Sequence, residues 1–179
     1  RHYLIIIAAA MTVMFTNLGG PRLWDRDEPR NAGCAAEMLQ RNDWVLPVFN
    51  NELRTHKPVL LYWLMMTSYA TFGINEFGAR FWSAALGLGA VLLTYGIARK
   101  LFDARTGLWA ALSLVPALMF GVASRAATPD APLIFCSTLA IYLYVALSKF
   151  ENGGPSIQLS FKHAACVYAA MGLAMLAKG

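Results

Sequence analysis

The residues best equipped for chemistry stand near the start of the sequence, in Trp24-Asp25-Arg26-Asp27-Glu28-Pro29-Arg30. Carboxylates crowded this closely repel one another unless a cation, a metal or bulk water compensates, and crowding can raise one pKa into a range useful for proton transfer. Pro29 disfavours helical geometry at the residue before it, so Glu28 is expected to be extended, with the acids fanned apart at a helix entrance. A solvated acidic cap on that helix is the plainer alternative. Lys57, in Thr55-His56-Lys57-Pro58, stands just before an apolar run, where an ammonium can hold a lipid phosphate or simply snorkel to the headgroups. His56 beside the same carboxylates is a candidate metal ligand or an ordinary surface residue. In Ser124-Arg125-Ala126-Ala127-Thr128-Pro129-Asp130, the aspartate is placed to act on a substrate or to cap the helix that follows. Lys178 ends the last apolar run and Arg80 opens another, and each taken singly marks only the end of a membrane segment.

The elements that must position these residues are membrane elements. With 58% hydrophobic and 14% charged residues among 179, the chain has too little polar surface for a soluble globule. The net charge of +5 is scattered through short loops between apolar runs, the pattern of positive flanks on membrane segments and not of a nucleic-acid partner. Cys34, Cys136 and Cys166 lack metal-ligand spacing and are expected to be small hydrophobes. Arg-His followed by an apolar run resembles a signal peptide, but without a small-residue cleavage site a retained first helix is expected. The start at Arg1 and the stop after Lys178-Gly179 suggest a piece of a longer protein, inactive alone.

The predicted architecture is all-α and polytopic. Spans are expected over 3–18, 81–98, 108–123, 131–147 and 164–177, with a loop over 19–58 that carries a surface helix at 29–41. The run 59–74 is short and holds Tyr62, Trp63, Thr67, Ser68, Tyr69 and Thr71, which suits an interfacial helix. If that run does not cross, Arg99, Lys100 and Arg105 become cytoplasmic, as the positive-inside rule favours. Asp27, Lys57, Arg125, Asp130 and Lys178 then share the outer face.

Order and spacing carry more than any single residue. Asp-Glu-Pro-Arg from Asp27, Asp43-Trp44, Lys-Pro-Val-Leu-Leu-Tyr-Trp-Leu from Lys57, Gly-Ala-Arg from Gly78, Thr-Pro-Asp-Ala-Pro-Leu from Thr128 and a closing Ala-Lys-Gly resemble one family. It is that of the membrane glycosyltransferases related to aminoarabinose transferase of lipid A and to protein O-mannosyltransferases. The resemblance implies a GT-C helical bundle in a bacterial inner membrane, with its site on the periplasmic face. It also implies a polyprenyl-phosphate sugar donor and a lipid, glycan or protein acceptor. By motif position Asp27 would be the principal catalytic carboxylate, Glu28 its neighbour and Asp130 the acid of the second loop. Arg30, Lys57 and Lys178 would hold the donor phosphate, with Asp25, Arg80 and Arg125 in support. Relatives often carry Glu in a metal site where this chain has His56, so a divalent metal held by His56 and Glu28 stays open. Direct attack by an acceptor hydroxyl would invert the anomeric centre. A lipid-linked sugar flippase and a non-catalytic membrane subunit are the competing readings. The spans proper carry few of the ionisable residues that transport coupling requires.

Overall fold

The computed structural model describes residues 1–24, 26–50, 52–151, 154–156 and 161–178. Among them lie the helices α1 (His2–Phe15), α2 (Asp27–Arg41), α3 (Leu60–Phe72), α4 (Glu76–Leu101), α5 (Ala104–Leu114), α6 (Leu118–Arg125), α7 (Asp130–Leu147) and α8 (Phe161–Ala177). Two short antiparallel hairpins, β1 (Val48–Phe49) with β2 (Glu52–Leu53) and β3 (Lys149–Glu151) with β4 (Gly154–Ser156), sit in loops. Among the described residues the long apolar runs are helical, because backbone groups in a bilayer must be satisfied within their own segment.

Among the described residues α4 and α7 are long and apolar enough to cross a membrane. At 1.5 Å per residue α4 is about 39 Å long, more than the ~30 Å hydrocarbon core requires. Asn75 caps its start by accepting from the Gly78 amide at 2.8 Å. Arg99 and Lys100 lie in its last turn, at the far end from the acidic loop. A span was expected over 108–123, and the structure builds this run as α5 and α6 with a bend of 70° between them. Pro116 lies at the break; it has no amide hydrogen to donate and its ring crowds the preceding turn.

The core falls into two clusters. In the first, Ile6, Ala10 and Met14 of α1 pack against Ala84, Ala90 and Val91 of α4 and Ala111 of α5. In the second, Ala32, Cys34, Ala35 and Met38 of α2 pack against Leu61, Tyr62, Met65, Met66 and Tyr69 of α3. Ala79 at the start of α4 and Ala127 after α6 join the second cluster, so it rests on the end of the first. At 13 residues α3 is about 20 Å long, short of a full crossing.

Helix α2 starts earlier than expected. Pro29 was predicted to hold Glu28 extended, yet Asp27 and Glu28 form the first turn and Pro29 lies within it. First-turn amides have no intrahelical acceptor, so proline is tolerated there, and tertiary bonds to Glu28 override its local preference. The helix ends at Asn42, which adopts the left-handed region at φ 53° and ψ 33°.

Candidate active site

Helix α2 presents two faces with different tasks. Glu28 and Asn31, one turn apart, lie on its buried face. Asp27 and Arg30, also one turn apart, line a cavity of about 650 Å³ together with Phe49, Glu52, Arg54, His56 and Lys57. The 3.6-residue repeat places each i,i+3 pair on one side. Four candidates named from sequence, Asp27, Arg30, His56 and Lys57, thus surround one space. Its walls are largely polar and carry both signs of charge, which suits a charged ligand.

Glu28 lies behind that wall. Arg80 meets it bidentately, with Nε donating to Oε1 at 2.9 Å and Nη2 donating to Oε2 at 2.8 Å. Oε1 also accepts from the Ala127 amide at 2.7 Å, and Oε2 from the Trp24 amide at 3.0 Å. Burial pushes the Glu28 carboxyl up, but the hydrogen bonds from Arg80, Ala127 and Trp24 and the charge of Arg80 outweigh it and hold the pKa below its ordinary value. Arg80 further donates to the carbonyls of Leu18 and Pro21 through Nη1 and of Arg22 through Nη2. It therefore ties the chain that follows α1 to the start of α4, well beyond the interfacial anchoring its position alone suggested. A second cavity, about 430 Å³ and mostly apolar, opens beside Arg80 and reaches Arg125.

Asn31 and Arg54 were not singled out from sequence. The Asn31 amide donates to the Ala127 carbonyl at 3.0 Å and accepts from Arg54 Nη2 at 3.1 Å. Arg54 Nε donates to the Tyr62 hydroxyl at 3.2 Å, and its guanidinium lies 5.9 Å from the centre of the Phe49 ring. The available signal was a polar residue in the apolar stripe of a helix, since a buried amide requires partners.

The remaining candidates gather at the same end of the bundle. Lys178, just past α8, donates to Asp130 at the start of α7 at 2.8 Å, and both side chains are about half exposed. Lys57 lies near enough to act on Asp130 electrostatically. Arg125 instead faces the end of α1, donating to the carbonyls of Val13, Met14 and Thr16. Asp25 lies outside the described residues. Among the described residues no three His, Cys, Asp or Glu side chains converge as metal ligands, and both oxygens of Glu28 are already engaged.

The sequence profile of the dolichyl-phosphate-mannose-protein mannosyltransferase family matches residues 56–179. The chain belongs to this family. A protein of Aquifex aeolicus is 34% identical over 145 residues, covering 80% of this chain and 29% of the relative. The undecaprenyl phosphate-alpha-4-amino-4-deoxy-L-arabinose arabinosyl transferase 2 of Pseudomonas fluorescens is 36% identical over 139 residues, covering 76% of this chain and 25% of that protein. The crystal structure of ArnT from Cupriavidus metallidurans bound to undecaprenyl phosphate superposes with a TM-score of 0.87 at 29% identity. That superposition covers 98% of this chain and 32% of the ArnT chain, and the apo form gives 0.86. This member of the mannosyltransferase family is thus a polytopic membrane protein with a GT-C helical bundle, as its motifs implied. It spans about a third or less of the length of the relatives it matches.

Proposed function

We propose that this chain carries the donor site of a glycosyltransferase that moves a sugar from a polyprenyl phosphate to a hydroxyl group of a lipid, glycan or protein. One observation carries the reading: a carboxylate, Asp27, and the cations Arg30 and Lys57 line one polar cavity at one end of a membrane bundle. The names of the family and of its transferase relatives share a polyprenyl phosphate, and the Cupriavidus structure contains one.

The chemistry needs a base on one side of the anomeric carbon and fixed cations on the other. Asp27 takes the proton from the acceptor hydroxyl as its oxygen attacks. The bond to the donor phosphate breaks as the new one forms, and a single displacement inverts the configuration. Arg30 and Lys57 take up the charge of the departing phosphate, held in place beforehand so that little reorganisation is required. Lys178 joins them by exchanging its carboxylate partner. A half-exposed ion pair contributes about 1 kcal/mol or less, so an incoming phosphate can draw Lys178 from Asp130. Glu28 serves this site as a positioning group, with its oxygens committed to Arg80 and to backbone amides.

The site faces the non-cytoplasmic side, in the reading supported by Arg99 and Lys100 at the opposite end of α4. In a bacterium that is the periplasmic face of the inner membrane. A flippase would need no base beside the phosphate cations, and the position of Asp27 favours transfer.

The test is Asp27→Asn in the intact protein, which keeps the size of the side chain and removes the base. Transfer from a polyprenyl-phosphate sugar should fall by roughly 10²-fold or more while membrane insertion is unchanged. Near-normal turnover would remove Asp27 from the mechanism.

A further inference from the structure

Helix α2 does more than display Asp27 and Arg30. Its buried face holds one peptide residue of the second loop from both sides: Glu28 accepts from the Ala127 amide at 2.7 Å, and Asn31 donates to the Ala127 carbonyl at 3.0 Å. Ala127 itself is fully buried. Three residues further on, Asp130 opens α7 and meets Lys178. The position of Asp130 relative to Asp27 is therefore set by this grip on Ala127.

The Asn31 amide also faces the other way. Its oxygen accepts from Arg54, and Arg54 lines the cavity that Asp27, Arg30 and Lys57 surround. Tyr62 and Phe49 fix the orientation of the Arg54 guanidinium. The primary amide satisfies both neighbours at once, accepting from the guanidinium and donating to the carbonyl. A carboxylate would lack the donor, and an apolar side chain would satisfy neither.

We propose that Asn31 and Arg54 are positioning residues that couple occupancy of the polar cavity to the placement of the second loop, so that a phosphate-bearing ligand beside Arg54 also sets Asp130. An anion entering the cavity acts on Arg54, Arg54 holds the Asn31 amide, and Asn31 holds the Ala127 peptide from which Asp130 follows. The coupling rests on the donor-site reading for its ligand, but the hydrogen-bonded link is a property of this chain. Asn31 contributes through other groups and Arg54 relays the ligand's charge to it, while the sugar and acceptor meet Asp27.

The test uses the intact protein in lipid nanodiscs, with undecaprenyl phosphate as the probe. Hydrogen exchange across residues 125–130 should slow several-fold when the lipid phosphate is added to the unaltered protein. In Asn31→Leu that slowing should disappear. Arg54→Lys keeps a cation in the cavity but cannot reach Tyr62 and Asn31 together, and it should also lose the response. This second variant covers the case in which Asn31→Leu fails to fold. In a transfer assay Asn31→Leu should lower kcat at least tenfold and leave the donor KM within about threefold, because Arg30 and Lys57 remain. The double variant should be no worse than Asn31→Leu alone, as expected for residues in one chain of contacts. The same exchange response in the variants as in the unaltered protein, or none in the unaltered protein, would overturn the proposal. So would a rise in KM with kcat preserved. An unaltered protein that slows exchange with the lipid phosphate but transfers no sugar would sink the glycosyltransferase reading and leave the link standing.

Discussion

Replacing Arg80 with methionine should reveal how much the loop between α1 and α2 depends on one buried charge pair. The substitution removes both bonds to Glu28 and the three to the carbonyls of Leu18, Pro21 and Arg22. An unpaired buried carboxylate costs about 3–5 kcal/mol. Glu28 has one escape, which is to take up a proton, and for a carboxyl of pKa about 4.3 this costs about 3.7 kcal/mol at pH 7. The penalty is therefore about 3–4 kcal/mol at pH 7, and it shrinks by about 1.4 kcal/mol for each unit by which the pH falls towards 5. In the unaltered protein the sign is opposite. The Glu28 pKa is depressed, so its contribution is complete above the ordinary carboxylate pKa and is lost as the pH falls through the depressed value. Thermal unfolding in detergent, followed by near-ultraviolet circular dichroism at pH 5 and pH 7.5, measures this. At about 2–4 °C per kcal/mol for a chain of this size, the Arg80→Met midpoint should drop by roughly 6–16 °C at neutral pH and by much less at pH 5. Glu28→Gln combined with Arg80→Met should recover part of the loss, since no charge is left unpaired. A loss that does not vary with pH, or a double variant worse than Arg80→Met, would refute the reasoning.

Lys57→Ala should raise the donor KM more than the acceptor KM in a two-substrate kinetic assay, and equal losses would count against a phosphate role. Lys178→Met should leave the unfolding midpoint nearly unchanged, because a half-exposed ion pair contributes about 1 kcal/mol or less, while weakening undecaprenyl phosphate binding by titration calorimetry. A β-carbon at Gly87 would lie 2.5 Å from the Ser124 hydroxyl, so Gly87→Ala should separate α4 from α6 and destabilise by about 1–3 kcal/mol. Adding Ser124→Gly should restore most of that loss in the same thermal assay.

The sequence exposed those parts of the fold that depend on local pattern. Apolar runs located the apolar helices, and the spacing of Ala32, Ala35, Ala36 and Leu39 located α2, because burial of one helix face is written at a 3.6-residue period. Asp27, Arg30, His56 and Lys57, which line one cavity, were legible as candidates because they cluster in short polar segments between apolar ones. What could not be read was pairing over distance. Arg80 looked like an anchor at a span end, since its partner lies 52 positions away and no local pattern links the two. The behaviour of Pro29 was misjudged for a related reason, because bonds from Arg80, Ala127 and Trp24 hold Glu28 in the first helical turn against its neighbour's preference. Asn31 and Arg54 are a third case. Each is ordinary alone, and their task arises only when β2 brings its end against α2.

The way α1 ends bears on how the protein is made. The carbonyls of Val13, Met14 and Thr16 receive their donors from Arg125, which follows them by 109 to 112 positions. At about 5–20 residues per second, roughly 5–20 s of synthesis separates the emergence of α1 from that of its capping residue. During that interval the end of α1 must draw its hydrogen bonds from interfacial water or from the insertion machinery. Helix α1 is thus made unfinished, and the ribosome delivers its closure several segments later.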